Sequence, residues 1–426
     1  MNFPESLDYL YGLQQFGIKL GLENIRELLE RLGGPQGDYR IVHVAGTNGK
    51  GSVCACLAEI LKAGGYRVGL YTSPHLHSFT ERIRVNGRAI TESEVARLTA
   101  ELRLRAEGIP ATFFEFTTAL ALHHFRRRKV DFAILEVGMG GRLDATNAVT
   151  PLVSVITPVC RDHARHLGSD LSSIAREKGG IIKPGIPVVV GPQPAEALAV
   201  LEETAAGCRA PLLLYDRDFT AVPCPEGGFS FHGTEFSLAE LRPALPGNHQ
   251  ARNLSLALAV GGILRSQGVN LPEGAMRAGV ERVRWPGRLE WWEGGREILL
   301  DGAHNEGGAA VLAEFLRGTP AAGVRWVVGI KGDKFPADVL GPLLPLVRAL
   351  YCTSPPTEEV IPTADLVLLG RQAGVAASSF TRVGDALEAA LAERGRGEIV
   401  LVAGSLFLVA AAREWLQRRF PPAKRA

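Results

Sequence analysis

Seven consecutive residues, Gly46, Thr47, Asn48, Gly49, Lys50, Gly51 and Ser52, bring three glycines, a lysine and a hydroxyl together. Glycines let backbone N–H groups curl round phosphate oxygens, a lysine neutralises the outer phosphates, and a serine hydroxyl can reach Mg²⁺. That chemistry requires a strand before the loop and a helix after it, whose N-terminus adds partial positive charge. Both are legible. Residues 41–45 form an apolar run, and Val53, Cys56, Leu57, Ile60 and Leu61 recur at helical spacing, with Gly64 and Gly65 as a stop. The loop departs from the common GxxxxGK[ST] pattern because Gly51 separates Lys50 from Ser52. The plain alternative is a glycine-rich turn capped by Ser52; the flanking strand and helix favour phosphate binding.

Ser73, Glu136 and His163 each stand at or just past the carboxyl end of a separate expected strand. In a parallel sheet those ends share one edge, where ligands collect. Carboxylate and hydroxyl oxygens suit Mg²⁺, whereas an imidazole suits a softer ion, so Mn²⁺ could substitute. Equally, Glu136 could cap a glycine-rich turn, and His163 could be a surface histidine beside Asp162. Thr112, Phe113, Phe114 and Glu115 combine two rings with a carboxylate, fit either for a flat ring system bearing N–H groups or for core packing at a helix start. Arg82 and Arg84 could attract anionic groups or simply be solvated.

These residues need a scaffold, and the sequence alternates short apolar runs with helix-period stretches, as parallel strands joined by crossover helices do. Strands are expected at 41–45, 67–71, 131–137, 151–157 and 187–190, then at 297–300, 325–329, 349–353 and 398–403, with a helix over 172–178. The fold class is therefore α/β in two units. The boundary falls near 284–288 (RWPGR), where Pro and Gly interrupt helical periodicity, giving expected domains 1–285 and 286–426.

With 426 residues, 46% apolar and 22% charged, the chain can bury more than one core, so disorder and fibre are poor readings. The 49 Gly and 26 Pro follow no three-residue period, which excludes a collagen-like repeat. Lys and Arg number 47 against 45 Asp and Glu, too even a balance for a broad nucleic-acid face. Six cysteines without a CxxC pair read as reduced thiols, which favours the cytoplasm. The opening MNFPESLDYL lacks the pattern of a secretory leader, and no long continuous apolar window suggests a membrane span. The basic end RRFPPAKRA reads as a frayed terminus.

The loop GTNGKGS resembles the ATP loop of the Mur ligase superfamily, and other segments resemble its folylpolyglutamate synthase branch, whose members are often also dihydrofolate synthases. They are YTSPHL at 71–76, FTERIRVNG at 79–87, TFFEFTTALAL at 112–122, LEVGMGGRLDATN at 135–147, DH at 162–163, EKGGIIKPG at 177–185, HQARN at 249–253, PGRLE at 286–290 and DGAHN at 301–305. Gly180 stands where the family pattern has alanine, and beyond Asn305 only the α/β pattern extends the match.

The resemblance implies a P-loop, Mur-ligase-like N-terminal domain with a mostly parallel sheet and a smaller Rossmann-like α/β C-terminal domain. It further implies ATP held by residues 46–52 with Asn253, Arg288 and Asp301, and Lys50, Lys178, Arg288 and His304 in catalysis. Two Mg²⁺ sites would use Ser73, Glu136, His163 and Lys178, the lysine carbamylated so that a carboxylate replaces the cation. Arg82, Thr112, Phe113, Phe114, Glu115, Leu143, Asp144 and Ala145 would border a folate or dihydropteroate acceptor. The implied reaction passes the γ-phosphoryl group to the acceptor carboxylate, after which L-glutamate displaces phosphate. A monomer acting on small molecules, with no nucleic acid or membrane partner, is expected. The rivals are another Mur-superfamily amino-acid ligase, for which the loop starts too early to follow a uridine-nucleotide domain; a kinase, whose ADP formation would not need glutamate; and a nucleotide-driven switch or binding protein.

Overall fold

Runs of Val, Ile and Leu buried on both faces, each followed by a helix, build two sheets in which parallel pairing dominates. The computed structural model describes residues 1–16, 21–162, 168, 170–292 and 297–420. It divides into one unit of Met1–Val159, Ser169–Ala244 and His249–Arg284 and a second of Cys160–Gly168, Leu245–Asn248 and Trp285–Ala426. Two short segments from the earlier sequence thus group with the second unit, so a single cut at 285/286 does not separate the units.

The large sheet of the first unit holds eight strands: β1 Arg40–Ala45, β2 Val68–Tyr71, β3 Ile83–Val85, β4 Arg88–Ala89, β5 Phe132–Glu136, β6 Val153–Ile156, β7 Val188–Val190 and β8 Leu212–Leu214. Their order is β4-β3-β2-β5-β1-β6-β7-β8, antiparallel only at β2/β3 and β3/β4. From β1 the chain crosses to β2 on one side, and from β6 it proceeds to β7 on the other. Strand order therefore reverses beside β1, and the crevice at its carboxyl end is the expected ligand site of an open α/β sheet. The free edge of β8 is closed by side chains: Leu214 N donates to Asp218 Oδ2 at 2.7 Å, and Arg217 Nη2 donates to the Leu212 carbonyl at 2.8 Å. Strands β9 Phe219–Pro223, β10 Phe229–Gly233 and β11 Ser237–Leu241 add a small antiparallel sheet.

Two helices fix the site in this unit. The Lys50–Ala63 helix follows β1 directly and packs against the Glu273–Arg282 helix so closely that a Cβ on Gly279 would lie 2.1 Å from Ile60 Cγ1. The Phe113–Arg127 helix rests on β2 through Phe125, whose ring would lie 2.6 Å from a Cβ at Gly69.

In the second unit, β12 Glu290–Trp291, β13 Ile298–Leu300, β14 Gly323–Val328, β15 Val347–Cys352, β16 Ala376–Ser379 and β17 Glu398–Ala403 run in the order β12-β13-β17-β14-β15-β16, antiparallel only at β12/β13. Alternate residues face opposite sides: Leu299, Trp326, Leu350 and Leu401 enter one core, and Val327, Tyr351, Val400 and Val402 the other. Among the described residues no helix is long and apolar enough to cross a membrane, and all six cysteines are free thiols.

Because Gly69 leaves no room beside Phe125, Gly69→Ala is expected to lower unfolding free energy by about 1–3 kcal/mol through overpacking, measured as a reduced urea midpoint.

Candidate active site

The loop expected to bind phosphate sits between β1 and its helix, in the sheet's crevice. Gly46 and Gly49 have φ of 140° and 89°, backbone that side chains disfavour. Their surroundings are as restrictive. A Cβ on Gly46 would lie 1.8 Å from Thr157 Oγ1, and one on Gly49 would lie 2.4 Å from Asn253 Oδ1. Asn253 is therefore brought against the loop, from the second turn of the Asn248–Ser266 helix rather than its cap. Thr47 N and Asn48 N both donate to the Pro158 carbonyl, at 3.0 and 3.3 Å.

Positive charge converges here. Lys50 Nζ donates to the Gly46 and Thr47 carbonyls at 3.2 and 3.1 Å, and buried Lys178 Nζ donates to the same Gly46 carbonyl at 2.8 Å. Lys178 lies in the Leu171–Gly179 helix, which spans the expected one. Ser52 Oγ and Thr157 Oγ1 are buried without a hydrogen-bond partner among the described residues. Buried hydroxyls are seldom left so, and oxygen-rich ligands or a hard cation fit them.

Glu136 ends β5 and Ser73 follows β2; Ser73 N donates to Glu136 Oε2 at 3.1 Å, and the Ser73–Pro74 peptide is cis. Of the expected metal ligands, Ser73, Glu136 and Lys178 are placed, while His163 lies outside the described residues. No group of three His, Cys, Asp or Glu side chains converges among the described residues.

The adjoining loop is held by Glu81, whose carboxylate accepts from Leu76 N, His77 N and Ser78 N at 3.0–3.1 Å. Burial pushes the Glu81 carboxyl up, but the three N–H donors outweigh it and hold it below its ordinary range. Arg82 is buried, with a relative exposure of 9%. Its Nε donates to His75 Nδ1 at 2.8 Å and its guanidinium lies over the Phe113 ring. Burial and the Arg82 charge lower His75 to about 4, so the imidazole is neutral and free to accept. Among the described residues Arg82 has no carboxylate partner. A buried guanidinium left this way is costly, and an anion arriving from outside would offset that cost.

Thr112 caps the Phe113–Arg127 helix. Thr112 N donates to Glu115 Oε2 at 2.7 Å and Glu115 N to Thr112 Oγ1 at 3.3 Å. These two residues thus form a capping box, which commits one Glu115 oxygen to the backbone. The rings diverge: Phe114 covers Gly138 and tilts against Tyr71, whereas Phe113 stacks on Tyr11 with centroids 5.6 Å apart. Tyr11 escaped sequence reasoning because it lies on an N-terminal helix without a motif. Leu143 is half-buried and Asp144 and Ala145 are buried. Burial raises the Asp144 carboxyl, opposed by hydrogen bonds from Thr146, Met139 and Gly138.

In the second unit Asp301 follows β13. Its Oδ1 accepts from Ala303 N and its Oδ2 from Leu289 N, both at 2.8 Å, so it ties the 287–289 turn to the strand end. Arg288 Nη1 donates to the Gly287 carbonyl at 3.1 Å and would lie 2.1 Å from a Cβ at Gly302. Arg288, Asp301 and His304 are thus gathered at one end of the sheet. His304 Nδ1 lies 2.8 Å from the Gly302 carbonyl and its Nε2 3.5 Å from Asp162 Oδ2. Asp162 also accepts from Asn305 Nδ2 at 3.1 Å and pairs with Lys334. Lys334 was missed by sequence reading; its signal is its place in the loop after β14, beside the loop after β13.

A glycine-rich phosphate-type loop at the switch point of a parallel-rich sheet, with a second α/β unit carrying its own polar cluster, defines a P-loop-type α/β protein. Residues 44–261 match the Mur ligase middle domain, and residues 287–406 match the glutamate ligase domain of Mur ligases. The chain is 35% identical to the dihydrofolate synthase/folylpolyglutamate synthase of Bacillus subtilis, over 97% of this chain and 99% of that protein. It is 37% identical to the Escherichia coli protein of the same name, over 97% and 95%. A solved structure of E. coli FolC in complex with DHPP and ADP superposes with a TM-score of 0.90 at 34% identity, covering 97% of this chain and 98% of that one. The Yersinia pestis bifunctional folylpolyglutamate synthase/dihydrofolate synthase, complexed with AMPPNP and Mn ion, gives 0.89 at 34% identity, covering 98% of each chain. The chain belongs to the Mur ligase family, in its folylpolyglutamate synthase/dihydrofolate synthase branch.

Two outcomes are expected. Gly46→Ala forces a side chain onto Thr157 and should weaken ADP binding by at least about tenfold in calorimetry, given strain of about 1–3 kcal/mol. Since the Glu81 carboxyl is depressed in the folded state, its stabilising effect is present above the ordinary carboxylate range and is lost as pH falls through the depressed value. Glu81→Gln should therefore flatten the acid limb of a stability profile followed by thermal unfolding.

Proposed function

We propose that this chain is an ATP-dependent ligase that joins L-glutamate to a carboxylate of dihydropteroate or of a folate, acting as a monomer in the cytoplasm. One observation carries the reading: relatives named for both synthase activities align over nearly the whole chain, which has the glycine-rich loop in its sheet crevice. The acceptor carboxylate attacks the γ-phosphorus of ATP, ADP leaves, and an acyl phosphate forms. The amine of glutamate then attacks the acyl carbon, inorganic phosphate leaves with the bond it held, and one proton is released. Amide formation from a free carboxylate is uphill in water, so ATP supplies the leaving group.

The chain's residues divide this work. In the reading, the N–H groups of residues 46–52 and Lys50 cradle the phosphates while Asn253, Arg288 and Asp301 hold the rest of the nucleotide. Arg288 and His304 face charge developing on the transferred group. Glu136, Ser73 and His163 would hold the divalent cation; the buried Ser52 hydroxyl, without a partner among the described residues, and the Glu136 carboxylate are donors that suit it. When bound, Mg²⁺ or Mn²⁺ supplies Lewis-acid stabilisation of the phosphoryl oxygens. Carbamylation of Lys178 would turn its cation into a carboxylate beside that site. Arg82, buried and without a directly paired carboxylate among the described residues, suits an anionic acceptor. Thr112 and Glu115 set the start of the helix bearing Phe113 and Phe114, and Leu143, Asp144 and Ala145 border the same acceptor.

Purified protein with MgATP, labelled glutamate and either dihydropteroate or tetrahydrofolate should yield a product heavier by one glutamyl residue, resolved by mass. Lys50→Ala and Glu136→Ala should each reduce kcat/KM by at least about a hundredfold with the fold intact. ADP formation that does not depend on glutamate would overturn the ligase reading.

A further inference from the structure

The centre of β1 carries a group that the reaction does not use. His43 is fully buried, and its Nε2 lies 2.8 Å from Thr146 Oγ1. Burial, reinforced by the charge of Lys183, lowers its pKa to about 3, so it is neutral. The Thr146 hydroxyl, itself fully buried, donates to Asp144 Oδ1 at 2.5 Å. A hydroxyl has one proton to give, so the proton between Thr146 and His43 resides on Nε2. His43 Nδ1 is then a lone pair, and it has no partner among the described residues. A buried polar atom left unpaired is a standing cost. Its neighbours on the same face of the strand, Ile41 and Ala45, are apolar and buried, so the histidine calls for an explanation beyond packing.

Asp144 supplies it. Its Oδ1 accepts from the Thr146 N–H at 3.0 Å as well as the hydroxyl, and its Oδ2 accepts from Gly138 N and Met139 N, both at 3.0 Å. A carboxylate offers about four acceptor directions, and all are filled from the protein. Asp144 therefore has no lone pair left for an acceptor molecule. It organises the loop from Gly138 to Thr146, next to Phe114, which packs on Gly138. The chain of donors runs one way, from imidazole to hydroxyl to carboxylate, out of the strand that leads into Gly46.

We propose that His43, acting through Thr146, is a positioning residue for the acceptor site, fixing Asp144 as the organiser of the 138–146 loop rather than as a direct ligand of the acceptor. This rests on the functional reading above and deepens it by assigning to His43 and Thr146 the shape of the pteroate-binding wall.

The test is steady-state kinetics with ATP and dihydropteroate varied separately. His43→Leu removes the donor; His43→Gln returns an N–H near the position of Nε2. For His43→Leu the KM for dihydropteroate should rise about tenfold, the worth of one buried hydrogen bond, with kcat and the KM for ATP within about twofold and His43→Gln within about threefold of the parent protein. Thr146→Val, which keeps shape but loses the hydroxyl, should behave as His43→Leu, and Thr146→Ser as the parent. The Thr146 pair decides the matter if His43→Leu fails to fold. An unchanged dihydropteroate KM, an equal rise in the KM for ATP, or a glutamine variant no better than leucine would overturn the inference while leaving the ligase reading intact. A parent protein that forms no ligated product would bring down both.

Discussion

Two ammonium groups reach for one carbonyl oxygen. Lys50 from the helix behind the loop and Lys178 from a distant helix both donate to Gly46, and the rest of the first unit is arranged so that they can. An anion received at the loop would offset the repulsion between two like charges gathered there. The carbonyl lies at the carboxyl end of β1, beside the reversal of strand order. The strand that carries it is locked on one side to β5, ending in Glu136, and on the other to β6, followed by Thr157 and Pro158. Register between β1 and its neighbours thus sets the distances among phosphate loop, carboxylate and hydroxyls.

Much of this scaffold was legible in the sequence. Most buried strands lie within two residues of their expected ends because each is a mainly apolar run. The short ones were not. Strand β4 is exposed on both faces, and β9 and β16 bury single residues; such segments carry no hydrophobic period and exist by pairing with neighbours. The three-stranded sheet β9–β11 was missed as well, although Phe229 and Phe231 alternate with a period of two in β10.

The site divides similarly. Residues with a local signature, the glycine loop above all, could be read from composition and spacing. Residues defined by partners distant in sequence could not. Thr112 and Glu115 do carry the T-x-x-E spacing of a capping box, yet the spacing alone does not say which carboxylate oxygen the backbone takes up. The burial of Arg82 is a property of packing, since an arginine in FTERIRVNG looks like any surface arginine. Lys334 and Tyr11 gain meaning only from Asp162 and Phe113, far away in the chain.

The grouping of residues 160–162 with the second unit bears on how the molecule can be dissected. Asp162 sits among Lys334, Asn305 and His304, yet it is encoded more than a hundred codons before them. A fragment beginning at Trp285 would strip Asp162 from the Lys334 ammonium, whose side chain is only 8% exposed, and leave Asp333 at 3.4 Å as its remaining carboxylate. Gene fusions, split-protein reporters or domain swaps built on the two matched regions would inherit that deficit unless they carried the Asp162 strip along.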